Sequence, residues 1–135
     1  LLRRARTVPR SAAPPAADFR VLTGEDAHYY EALEDGADGG ILLSAHIETE
    51  TFASVHSLLK AGDREAARRH WDTVSALAEL LFAEPSPAPA KYWLSRTGLI
   101  DSAEVRLPMV EASGELSARL DAEIERRRHA HRPKG

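Results

Sequence analysis

The chain has 135 residues, 43% hydrophobic and 29% charged, a globular composition at roughly the length of one domain. A formal charge of −3 and a pI near 6.1 give no general attraction to nucleic acid or to an anionic membrane, and no apolar run approaches the ~20 residues of a spanning helix. With no cysteine there is no disulfide framework, thiolate metal site or thiol nucleophile, which fits a reducing, cytoplasmic setting.

Residues 1–17 carry Arg3, Arg4, Arg6 and Arg10, no acid, and then Pro9, Pro14 and Pro15 among Ser and Ala. Basic residues suit the negative end of a helix dipole, so the expectation is the end of a preceding helix followed by a Pro/Ala-rich loop. An organellar transit segment is the competing reading. Because the sequence starts at Leu1 and not at methionine, the first is preferred, and a fragment and a processed form are both open readings.

Residues 18–47 read as two strands with a helix between them. Phe19-Arg20-Val21-Leu22 is a short apolar run reaching Thr23-Gly24, where Thr23 is expected to cap a helix whose first turn holds Glu25 and Asp26. Tyr29, Tyr30 and Leu33 form its inner stripe to about Asp35, and Gly36 stops it. Ile41-Leu42-Leu43 is a continuous apolar run, the pattern of a strand buried on both faces of a parallel sheet. In strand–helix–strand units of this kind ligand chemistry sits at the C-terminal ends of the strands.

Residues 48–62 form a helix with Phe52, Val55, Leu58 and Leu59 on one face, ended by Gly62. Residues 63–128 are expected to be helical throughout apart from breaks. Asp63 caps a long amphipathic helix with Ala67, Trp71, Val74, Leu77, Ala78 and Leu81 inside and Arg64, Arg68, Arg69 and Asp72 outside. Pro85 and Pro87 break the chain, Pro89 opens a helix to about Thr97, and Gly98 closes it. Leu99 to Val110 is an irregular crossing, and a last helix from Gly114 to about Arg128 uses Ser113 as cap and Leu116, Leu120 and Ile124 as its stripe. Residues 129–135 are expected to fray. Two parallel strands do not make a stable sheet alone, so something should lie beside them.

Val21-Leu22-Thr23-Gly24-Glu25-Asp26-Ala27 followed by Gly36-Ala37-Asp38-Gly39-Gly40-Ile41 resembles the seventh and eighth strands of the dihydrodipicolinate synthase / N-acetylneuraminate lyase family. The resemblance continues through Leu81 to Lys91, Gly98-Leu99-Ile100 and Val105-Arg106-Leu107-Pro108-Met109, and covers most of the chain from Phe19 to Ile124. It implies an α/β fold: the C-terminal portion of a (β/α)8 TIM barrel, strands seven and eight, plus the family's C-terminal helical extension, mostly helical as a fragment. It also implies a Schiff base between a lysine and pyruvate or a related 2-oxo acid, the iminium serving as an electron sink for C–C bond formation or cleavage.

The family's Schiff-base lysine, its assisting tyrosine and its Thr-Thr carboxylate site have no counterpart here, so no catalytic residue, cofactor or metal is assigned to the chain. By resemblance Gly24, Glu25, Asp26 and Ile41 are substrate-binding. Helix capping also accounts for Glu25 and Asp26, and ordinary strand burial for Ile41. Lys60, Lys91 and Lys134 end no strand, and Lys91 reads as a helix-surface or packing residue. Leu42-Leu43 stand where sialic-acid lyases carry small polar residues, which lowers that substrate reading, and His46 replaces a frequent Asn.

His28, His46, His56 and His70 lie on separate elements without ligand spacing. The expected partners are a small 2-oxo acid in the complete barrel and further copies of the protein, with neither nucleic acid nor membrane. The other readings are a truncated, non-catalytic helical interaction module and one chain of a split barrel.

Overall fold

The structure, a computed structural model, describes residues 19–130. The expected helix end and loop at residues 1–17 and the last part of the expected frayed tail lie outside the described residues. Within them a two-stranded parallel ladder, β1 (Leu22–Thr23) and β2 (Gly39–Gly40), pairs Leu22 with Gly39 and Thr23 with Gly40. Five α-helices make up most of the remainder: α1 (Tyr29–Glu34), α2 (Ala45–Ala61), α3 (Arg64–Leu81), α4 (Ala88–Arg96) and α5 (Gly114–Ala130).

Three local expectations need correction. Thr23 does not cap a helix: its Oγ1 accepts the Glu25 N–H at 3.1 Å in a tight turn, and a 3-10 turn over Asp26–His28 then leads into α1. The second strand is Gly39–Gly40, not Ile41–Leu43. The Ile41 N–H makes the last rung, to Thr23 O at 2.9 Å, and the partner strand then turns away at Gly24, leaving the Ile41 side chain 76% exposed. The third helix of the reading starts earlier, at Ala45, and bends at Glu48 (φ −126°, ψ 45°), the position from which regular helix was expected.

Packing divides the chain into two compact units, one up to Ser75 and one from Ala76, with the division inside α3. The first unit has an aromatic core. Tyr29, Tyr30, Leu33, Phe52, Val55, Ala67, Trp71 and Val74 are buried together, and the Tyr29 and Phe52 ring centroids lie 5.3 Å apart. Trp71 packs edge-on to Phe52 at 6.0 Å and stacks on Tyr30 at 6.3 Å, separations at which ring quadrupoles attract. Asp63 Oδ1 caps α3 by accepting the Ala66 N–H at 2.9 Å, which fixes the register that turns Ala67, Trp71 and Val74 inward. Arg68 lies 5.3 Å from the Tyr30 ring centre and shields that edge of the core.

The second unit buries Leu77, Ala78 and Leu81 of α3, Ala88, Ala90 and Trp93 of α4, and Leu116, Leu120 and Ile124 of α5. Helices α4 and α5 pack on each other, tied at the rim by Asp121, which accepts from Arg96 Nε at 2.8 Å and Tyr92 Oη at 3.1 Å. Ser113 caps α5 by accepting the Leu116 N–H at 3.1 Å, and Glu84 accepts the Ser113 N–H at 2.9 Å. Gly36, Gly62 and Gly98 end α1, α2 and α4 at positive φ, as their places in the sequence required. The last helix keeps His129 and Ala130, two residues beyond the expected stop at Arg128.

Candidate functional site

The residues of interest lie on two neighbouring turns, residues 23–26 after β1 and residues 41–44 after β2. They are joined at both ends. On the strand side the Ile41 N–H reaches Thr23 O at 2.9 Å. On the helix side the Asp26 carboxylate accepts the Leu43 N–H on Oδ1 at 3.2 Å and the Ser44 N–H on Oδ2 at 2.5 Å. Gly24 and Glu25 on one turn, and Ile41 and Leu42 on the other, are therefore held between two cross-links.

The four residues assigned to substrate from the sequence separate into two kinds. Gly24, Glu25 and Ile41 are exposed at the ends of the ladder. Asp26 is 1% exposed and faces the start of α2. A methyl group added at Gly24 would meet nothing within 4 Å, so no packing inside this chain requires glycine there. Gly24 also borders a shallow hollow of about 390 Å³ with Leu22, His28, Ala32 and Asp35.

Gly40 is different. A Cβ there would lie 3.0 Å from Leu42 Cγ and 3.1 Å from Tyr29 Cδ2, tight enough that these side chains would have to give way. The bare backbone lets the Tyr29 ring, core of the first unit, press directly under β2. Burial pushes the Tyr29 hydroxyl up from its ordinary pKa of 10.0.

Asp38 is a residue that sequence reasoning passed over. It sits at the opposite end of the ladder, where Oδ2 accepts the Val21 N–H at 2.8 Å and Oδ1 lies 3.4 Å from Arg20 Nη1. His56 Nε2 of α2 lies 3.0 Å from Asp38 O. The available signal was an acid directly before a Gly-Gly strand, where side-chain oxygens habitually pair with backbone amides. The two strands are thus bracketed by carboxylates, Asp38 at their start and Asp26 beyond their end.

His46 is exposed on the first turn of α2. Lys91 Nζ contacts Glu104 O, in keeping with a packing role on α4. Lys60 is exposed in the last turn of α2. Among the described residues no three His, Asp or Glu side chains group as a metal site, and no helix is long and apolar enough to cross a membrane.

The sequence signature of the dihydrodipicolinate synthetase family matches residues 6–127. The chain is 46% identical over 104 residues to 4-hydroxy-tetrahydrodipicolinate synthase 2 of Clostridium acetobutylicum, covering 77% of this chain and 36% of that protein. Its fold superposes on the dihydrodipicolinate synthase of Thermotoga maritima with a TM-score of 0.77 at 28% identity, covering 82% of this chain and 37% of the other. The chloride-inhibited dihydrodipicolinate synthase of Acinetobacter baumannii, complexed with pyruvate, superposes with a TM-score of 0.74 at 29% identity over 79% of this chain and 36% of the other. The chain spans a little over a third of the length of these relatives.

Proposed function

The chain belongs to the dihydrodipicolinate synthetase family, and from that premise we propose that it forms strands seven and eight and the helical extension of a Schiff-base lyase acting on pyruvate or a related 2-oxo acid. In this reading Gly24, Glu25 and Ile41 are one wall of the substrate site, and the lysine that binds the 2-oxo acid belongs to the part of the barrel outside this chain. The carrying observation is the placement of those three exposed residues at the C-terminal ends of two parallel strands, where (β/α)8 barrels do their chemistry. The pyruvate complex of the Acinetobacter baumannii relative supports the substrate class.

Chemically, a wall of one glycine, one aliphatic side chain and the Glu25 turn leaves room for a small, compact substrate. Lys60 and Lys91 end no strand, and this chain alone is proposed to be inactive. The complete protein is proposed to work in the cytoplasm as a homo-oligomer.

Borohydride reduction in the presence of pyruvate tests the reading. The complete protein should gain one covalent pyruvyl adduct on a lysine outside this chain, and the 135-residue chain should gain none. Absence of an adduct on the complete protein, or an adduct on Lys60, Lys91 or Lys134, would overturn it.

A second reading, a barrel completed by a separate chain, draws on the exposed Phe19, Leu22 and Ile41 around the ladder, at 65%, 51% and 76% of their full exposure. Co-purification of a chain supplying the remaining strands would select it.

A further inference from the structure

We propose that Asp26 is a positioning residue that sets the substrate wall without touching substrate, by tying the turn after β1 to the turn before α2. This rests on the aldolase-type reading for its functional consequence, while the tie itself is a matter of geometry. Both carboxylate oxygens are engaged, Oδ1 with the Leu43 N–H at 3.2 Å and Oδ2 with the Ser44 N–H at 2.5 Å. At 1% exposure the side chain has no open surface on which to meet a ligand.

Asp26 accepts from the two amides that directly precede the first residue of α2, those of Leu43 and Ser44. Ser44 stands at the cap position, yet its own side chain makes no capping bond and its Oγ, fully buried, has no hydrogen-bond partner among the described residues. A serine cap would have bonded an amide inside α2 and left those of Leu43 and Ser44 as they were. A carboxylate reaching in from residue 26 satisfies amides of one turn while fixing the other, so two turns that carry Gly24, Glu25 and Ile41 move as one piece.

The ring is closed by the Thr23–Ile41 rung on the other side. Removing Asp26 would leave the buried Ser44 amide and the part-buried Leu43 amide without their acceptor, a cost that local rearrangement would relieve by swinging residues 41–44 outward. Ile41 would move with them.

Two measurements test this. In the 135-residue chain, amide hydrogen exchange at Leu43 and Ser44 should rise at least about tenfold in Asp26→Ala, with Val74 in the core unchanged, and Asp26→Asn, which keeps one acceptor, should fall between. In the complete protein, Asp26→Asn should raise the KM for pyruvate about tenfold while kcat stays within about twofold, because the lysine is untouched.

Unchanged exchange at Leu43 and Ser44 would overturn the tie. Normal KM in a variant with raised exchange would overturn the positioning role. Failure of the unsubstituted protein to form a pyruvate adduct would overturn the aldolase reading, and with it the positioning role, leaving the exchange result to judge the tie. If Asp26→Ala does not fold, Asp26→Asn carries both measurements, and a kcat within about twofold of the parent excludes a general loss of folded protein.

Discussion

Asp38 and Val21 hold each other twice: the Val21 N–H donates to Asp38 Oδ2 at 2.8 Å, and the Asp38 N–H donates to Val21 O at 2.7 Å. This closes the entry end of a ladder only two residues long on each strand. A pair that short has few bonds of its own, so an acid at the entry and Asp26 beyond the exit do much of the holding.

Asp38→Ala leaves the half-buried Val21 N–H without its side-chain acceptor and should cost about 1–3 kcal/mol, whereas Asp38→Asn keeps an oxygen in place and should cost less. Urea midpoints followed by Trp71 fluorescence, in a Trp93→Phe background, measure both. Equal losses in the two variants would count against the bond.

The two ladder-end glycines should respond oppositely to alanine. At Gly40 the new methyl group meets the buried Tyr29 ring and should destabilise by about 1–3 kcal/mol. At Gly24 it meets open space, so the urea midpoint should be unchanged, while the yield of pyruvate adduct in the complete protein should fall. Unaltered adduct yield in Gly24→Ala would remove Gly24 from the substrate wall.

Trp71 contacts three other aromatic rings, of Tyr29, Tyr30 and Phe52. Trp71→Ala should cost about 3–5 kcal/mol, close to the whole stability of a small domain, and Trp71→Phe markedly less. Circular dichroism melts decide it: a Trp71→Ala chain that melts with the parent would mean that the aromatic cluster is not the core of the first unit.

Asp121 gives the second unit an acid limb. The Arg96 bond, aided by the Tyr92 hydroxyl, holds its carboxyl below the ordinary 3.8. A depressed carboxylate contributes stability above its unfolded pKa and loses it as pH falls through the folded value. The gap between the parent and Asp121→Asn in denaturant midpoint should therefore be full at about pH 6 and close by about pH 2. A gap independent of pH would refute the assignment. The pair is solvent-exposed, so the effect should also shrink with added salt.

Most of the helical part was legible in the sequence because helices report themselves locally. The stripe Ala67, Trp71, Val74, Leu77, Ala78, Leu81 and the stripe Leu116, Leu120, Ile124 are buried as their spacing demands. Asp63 and Ser113 cap where a side-chain oxygen three residues before a free amide must. The ladder was harder. Ile41-Leu42-Leu43 has the composition of a buried strand, but pairing is decided by where the other strand turns, and Thr23 turns it one residue too soon for Ile41 to be enclosed.

The sequence by itself determined the helical stripes, the caps Asp63 and Ser113, the glycine stops and the family, since each of these depends on residues within a few positions of one another or on motifs in fixed order. Only the tertiary structure decided what the acids at the turns do. Glu25 and Asp26 are adjacent in sequence, equally acidic and equally suited to a helix start, yet one is exposed and the other is buried against Leu43 and Ser44. That difference comes from the 17- and 18-residue separations those bonds span, a distance over which periodicity carries no information and only the path of the folded chain can bring donor to acceptor.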